Sequence, residues 1–118
     1  MANNKEGLTL HALRGAVTCE ENTSKSIGDA VNMLINELVK RNDLKPNQII
    51  SVTFSVTKDL DACFPASIAR QRPSWEEISL LDCQQMYVEG DLKNCIRLLA
   101  MVWISREIVP KHPYLKEA

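Results

Sequence analysis

Two apolar runs of strand length, each with an arginine inside it, constrain this chain most. The first is Leu8-Thr9-Leu10-His11-Ala12-Leu13-Arg14-Gly15-Ala16-Val17-Thr18. The second is Cys95-Ile96-Arg97-Leu98-Leu99-Ala100-Met101-Val102-Trp103-Ile104. A guanidinium stays charged at any working pH, so burying it requires an anionic partner. Two such positions in a chain of 118 residues point to an anion-binding pocket built on strands.

The other elements follow from periodicity and from stop signals. Residues 1–7 are polar and are expected to fray. Residues 8–18 read as a strand with both faces largely apolar. Asn22 or Thr23 can cap a helix, with Glu20 and Glu21 close to its positive end. Ile27, Ala30, Val31, Leu34, Ile35, Leu38 and Val39 then recur at helical spacing. That helix is expected to run to about Arg41 and to stop before Leu44-Lys45-Pro46, because proline disfavours helix at the residue before it. Residues 49–56 are β-branched and read as a second strand. Residues 59–62 open a short second helix reaching Arg70. Residues 78–83 form a third strand, Gly90-Asp91 a turn, and residues 94–104 a further strand. Tyr114 and Leu115 begin a last one. The order predicts a small α/β or α+β domain with its helices on one sheet, the whole of 1–118 being a single domain. So few elements leave the sheet's other face uncovered, and an oligomer is expected.

Composition narrows the function classes. The formal net charge is -1 and the charges form no block, so neither nucleic acid nor an anionic membrane is the expected partner. No apolar run approaches the roughly 20 residues that span a bilayer. The N-terminus lacks a signal-peptide pattern, so a cytoplasmic protein is the expectation. Cys19, Cys63, Cys83 and Cys95 form no CxxC pair, and His11 and His112 stand far from them in spacing. Reduced, mostly buried thiols are therefore expected, with no metal site.

Four segments carry a family resemblance. They are Arg14-Gly15-Ala16-Val17-Thr18 with Glu21-Asn22-Thr23; Asp59-Leu60-Asp61-Ala62-Cys63-Phe64-Pro65-Ala66 with Ala69-Arg70; Gly90-Asp91-Leu92-Lys93-Asn94-Cys95-Ile96-Arg97; and Pro113-Tyr114-Leu115. In this order and at these spacings the chain resembles the monofunctional chorismate mutases of the AroH class. The resemblance covers nearly all of the chain. It implies an α+β fold with a barrel-like mixed sheet and helices outside. It also implies a homotrimer with active sites between subunits, and conversion of chorismate to prephenate without cofactor or metal.

That chemistry explains the residue types. In this rearrangement the C–O bond breaks ahead of C–C formation. Negative charge grows on the ether oxygen, and positive character on the ring. No proton moves, so a cation at the oxygen, an anion near the ring and confining walls suffice. By resemblance, Arg97 faces the ether oxygen, Arg14 binds a carboxylate and Tyr114 is a second donor. Arg70 sits at the cleft mouth. Phe64 and Ala66 are wall positions, and Leu81, Cys83 and Gln84 line the site. Taken alone, Arg97 and Arg14 read equally well as ion-paired interface residues. Arg70 alone reads as a solvated helix charge, and Phe64 and Tyr114 as packing.

The chain departs from the family pattern at three places. Where the family carries a strand glutamate that accepts from the substrate hydroxyl, an ungapped match puts Gln85. Asp82 falls on the family's cysteine position, and Cys83 one place later. The expectation is that Asp82 supplies the displaced negative charge while Gln85 still accepts through its amide oxygen. Ser67 stands where lysine is frequent. The family's Leu-Arg-Pro tail has no counterpart before Ala118, which predicts looser substrate binding. The strongest rival reading is a non-catalytic trimeric ligand-binding or regulatory relative. A trimeric hydrolase of the enamine/imine deaminase type shares a similar architecture but is disfavoured, because Gly90–Arg97 and Phe64–Arg70 fit the mutase pattern specifically.

Overall fold

In a computed structural model, which describes residues 7–118, five strands form one mixed sheet. The strands are β1 (Leu8–Thr18), β2 (Ile49–Val56), β3 (Ser79–Gln84), β4 (Cys95–Ser105) and β5 (Tyr114–Leu115). Their order across the sheet is β3-β2-β4-β1-β5. β4 is antiparallel to β1 and β2, while β3 and β5 run parallel to β2 and β1. The expected fraying of residues 1–7 falls outside the described residues except at Gly7. Gly7 turns with φ +81° and accepts the Arg106 amide at 3.0 Å.

Helix α1 (Ser24–Asn42) forms where the periodicity predicts. Thr23 caps it by accepting the Ser26 amide at 3.0 Å. Asp43 ends it in the left-handed region at φ 51°. Its buried stripe, including Ile27, Val31, Leu34, Ile35 and Leu38, packs on the sheet. At its last turn Asn42 is fully buried and satisfied: Nδ2 donates to the carbonyls of Leu38 and Lys111, and Oδ1 accepts the Lys111 amide. A short 3-10 turn, Pro46–Gln48, then leads into β2.

Helix α2 is shorter than the sequence suggests and spans Pro65–Arg70. Two effects keep residues 59–64 out of it. Asn22 Oδ1 accepts the amides of Asp61 and Ala62 at 3.0 and 3.1 Å, while the Asp59 carboxylate accepts the Asn94 amide. Phe64 also precedes a proline and is extended at φ −89°, ψ 122°, so the helix begins only at Pro65.

Both helices cover the same face of the sheet. Leu13, Val17, Phe54, Ile96, Leu98 and Val102 join α1 and α2 in one buried cluster. Among the described residues the opposite face carries no helix, and Leu10, Leu81, Leu99 and Tyr114 on it are exposed. The sheet of one chain is open, with β3 and β5 as its edges, so it is not closed into the barrel-like form expected from the sequence. Among the described residues no helix is long and apolar enough to cross a membrane.

Candidate active site

Strand alternation decides where the predicted residues point. On β4, Ile96, Leu98 and Ala100 face the helices, so Arg97 and Leu99 face the other way. The register then assembles a row across the helix-free face. Cys83 pairs with Ser55, Ser55 with Arg97, Arg97 with Ala16, and Ala16 with Tyr114. The neighbouring row is Leu81, Thr53, Leu99 and Arg14. Arg14, Arg97, Tyr114, Leu81 and Cys83 therefore share one surface.

Gly15 lets the last strand approach. A Cβ there would stand 2.9 Å from the Pro113 carbonyl and 3.2 Å from Leu34 Cδ1. The Ala16 amide donates to Pro113 at 3.0 Å, and the Arg14 amide donates to His112 Nδ1 at 2.9 Å. These bonds hold Tyr114 beside Ala16.

The arginines are less enclosed than their apolar runs suggest. Arg14 is exposed, and its guanidinium forms no ion pair among the described residues. The Arg97 side chain keeps 39% of its surface, and its nearest carboxylate oxygen, on Asp91, lies 4.0 Å away. The burial expectation fails because both residues occupy the face without helices. A guanidinium held this loosely stays available to an incoming anion.

Asp82 lies elsewhere. It pairs with Phe54 and faces the helix side, where its Oδ1 accepts the Ala66 amide at 3.0 Å. Phe64 provides no side-chain cap for α2, so Asp82 serves the first turn of that helix from the adjacent strand. Burial pushes its carboxyl above the ordinary range, against the pull of the Ala66 amide and the Arg70 charge. Asp82 lines a cleft of about 640 Å³ with Phe64, Cys83 and Gln84. Phe64 is 68% exposed there, Arg70 is exposed on the last turn of α2, and Ala66 is buried in the core.

Gln85 borders a second cleft of about 320 Å³ formed with residues 57–59 and the 86–93 loop. Its amide donates to Asp91 Oδ2 at 2.9 Å. Within one chain the expected site residues thus fall into two groups: the arginine row, which Asp91 links to Gln85 and its cleft, and the Asp82 cleft. Asp82 and Gln85 are not brought together. In the sequence Asp91 reads only as a turn residue, although it is a carboxylate six positions from both Gln85 and Arg97. The thiols are also more accessible than expected: Cys19 and Cys95 are buried, Cys63 is intermediate and Cys83 is exposed. Burial raises the Cys19 thiol to about 11 and Cys95 in the same direction, which disfavours the thiolate form of both.

The family model described as chorismate mutase type I matches residues 10–118. The chain belongs to the type I chorismate mutases. It is 33% identical over 114 residues to chorismate mutase AroH of Bacillus subtilis, covering 93% of this chain and 87% of that protein. Chorismate mutase AroH of Thermus thermophilus is 34% identical over 112 residues, covering 92% and 90%. Among solved structures, a chorismate mutase from Clostridium thermocellum superposes with a TM-score of 0.84 at 38% identity, covering 92% of this chain and 96% of that one. The open α+β sheet with helices on one face is thus the chain fold of a type I chorismate mutase.

Proposed function

We infer that this chain is an isomerase that rearranges chorismate to prephenate, in the biosynthesis of phenylalanine and tyrosine. The observation that carries the reading is Arg97 at the centre of a row shared with Tyr114, next to Arg14, in a member of this family. In the proposed mechanism Arg14 and Tyr114 hold substrate carboxylate. Arg97 meets the charge that grows on the ether oxygen. A preorganised cation at that atom stabilises the transition state more than the ground state. Phe64, Leu81, Cys83 and Gln84 hold the compact conformer, and Arg70 draws in the dianion. The reaction is intramolecular and moves no proton, so the residues act by charge and confinement.

We further propose a cytoplasmic homotrimer with sites between subunits. Strand spacing supports this. Tyr114 and the β3 edge beside Phe64 are separated by four strand intervals, on the order of 19 Å. That gap exceeds a single-ring substrate, so a site using both needs them from different copies. The exposed apolar residues around the arginine row are suited to such an interface.

Chorismate loss followed by absorbance with the purified protein tests the activity. Turnover above the spontaneous rate, sharply lowered in Arg97→Ala, is the expected result. Binding without turnover would mark a non-catalytic relative instead. Sedimentation equilibrium should give three times the 13.3 kDa chain mass.

A further inference from the structure

The turn before β4 places a carboxylate between Gln85 and Arg97. The Asp91 amide closes this turn on the Val88 carbonyl at 3.0 Å, and Gly90 takes the left-handed φ of +87° that the turn requires. Asp91 Oδ1 accepts the Leu92 amide at 2.7 Å and lies 4.0 Å from the Arg97 guanidinium. Its Oδ2 accepts from Gln85 Nε2 at 2.9 Å. The Gln85 backbone is pinned as well, its amide donating to Val56 at 2.8 Å.

This arrangement fixes the Gln85 amide. A carboxylate only accepts, so the end of the amide that meets Asp91 is the NH₂ group. The oxygen must then point away from Asp91. Gln85 Oε1 is buried and meets no donor among the described residues. A buried acceptor without a donor is costly and rare in a folded protein, and a substrate hydroxyl satisfies it once the atoms covering it give way. Chorismate carries one ring hydroxyl.

We propose that Asp91 is a positioning residue for the rearrangement: it turns the Gln85 amide oxygen toward the substrate hydroxyl and supplies the carboxylate at this end of the site. The proposal rests on the mutase reading. An asparagine at 91 could meet Gln85 through either end of its own amide, so both the fixed orientation and the charge would be lost without a change of shape.

The test compares kcat and KM for chorismate in wild type, Asp91→Asn, Gln85→Glu and the exchange Gln85→Glu with Asp91→Asn, with melting temperature as a control. Asp91→Asn should lower kcat about tenfold, short of the roughly 10²-fold that misplacement of a reacting group can cost, with KM and melting temperature little changed. Gln85→Glu sets two carboxylates against each other and should lower kcat similarly. The exchange restores one donor facing one carboxylate, and kcat should return to within about threefold of wild type. Normal kcat in Asp91→Asn, or an exchange variant no better than either single one, overturns the positioning role. So does a fall in melting temperature that accounts for the lost activity. A wild-type chain without turnover would overturn the mutase reading itself, which separates the two failures.

Discussion

On the helix side of the sheet, Leu13, Val17, Phe54, Ile96 and Val102 are fully enclosed by α1, α2 and one another. On the other side, Leu10, Leu81, Leu99 and Tyr114 stay exposed around Arg14 and Arg97. The same strands supply both sets by simple alternation. The helix side is a finished core, and changes there act on stability. The open side holds the cationic row and the exposed apolar surface proposed as a subunit interface, so changes there are expected to act on chemistry rather than on the fold. The two faces are therefore separable by mutation.

Phe54→Ala is the strongest break on the helix side. It empties a fully buried aromatic site and should cost about 3–5 kcal/mol, read as a lower denaturant midpoint. Residual folded protein should keep its kcat. Arg97→Ala is the matching break on the open side. It should lower kcat/KM by about 10²–10³ or more, equivalent to roughly 2.7–4 kcal/mol, with the melting temperature unchanged. Arg97→Lys should recover little of this, because a point charge lacks the guanidinium fork. If Arg97→Ala also unfolded the chain, the faces would not be separable.

Gly15→Ala sharpens the comparison, because Gly15 is where one face reaches the other. The added methyl meets the Pro113 carbonyl at 2.9 Å, a backbone atom that cannot swing aside like a side-chain tip. A cost of about 1–3 kcal/mol is expected from this overpacking. Unlike Phe54→Ala, it should also raise KM for chorismate, since displacing Pro113 shifts Tyr114. An unchanged KM in the folded protein would mean that Tyr114 is held independently of Gly15.

Much of this layout was legible in the sequence. The 3.6-residue stripe from Ile27 to Val39 and a cap at Asn22 or Thr23, of which the structure uses Thr23, mark α1, and the β-branched run at 49–56 marks β2. What escaped depended on contacts between distant residues. The sequence pattern starts α2 too early because Asn22 ties up the amides of Asp61 and Ala62, some forty positions away. The arginines looked buried because their runs are apolar on both sides, and one sequence does not say which face the helices take. Asp82 and Gln85 were expected to act together although they stand three positions apart. On a strand, side chains three apart point to opposite faces, and β3 ends at Gln84 before Gln85 is reached.

Asp82 yields the smallest and most discriminating effect. Its folded carboxyl lies above the ordinary range, chiefly through burial, so the native state disfavours the ionised form. Stability from this group is then fully present below the unfolded pKa of about 3.9 and is lost as pH rises through the higher folded value. Asp82→Asn removes that penalty and keeps an oxygen for the Ala66 amide. At neutral pH it should melt at or above the wild-type temperature, and the difference should vanish in acid below that unfolded value. Asp82→Ala removes the acceptor as well and should be less stable by about 0.5–2 kcal/mol, the usual loss of a helix cap. If both variants turn chorismate over normally, Asp82 belongs with the helix face and stability. If Asp82→Asn is as stable as expected yet slow, a carboxylate on the helix side reaches the chemistry, and the division between the two faces breaks at this residue.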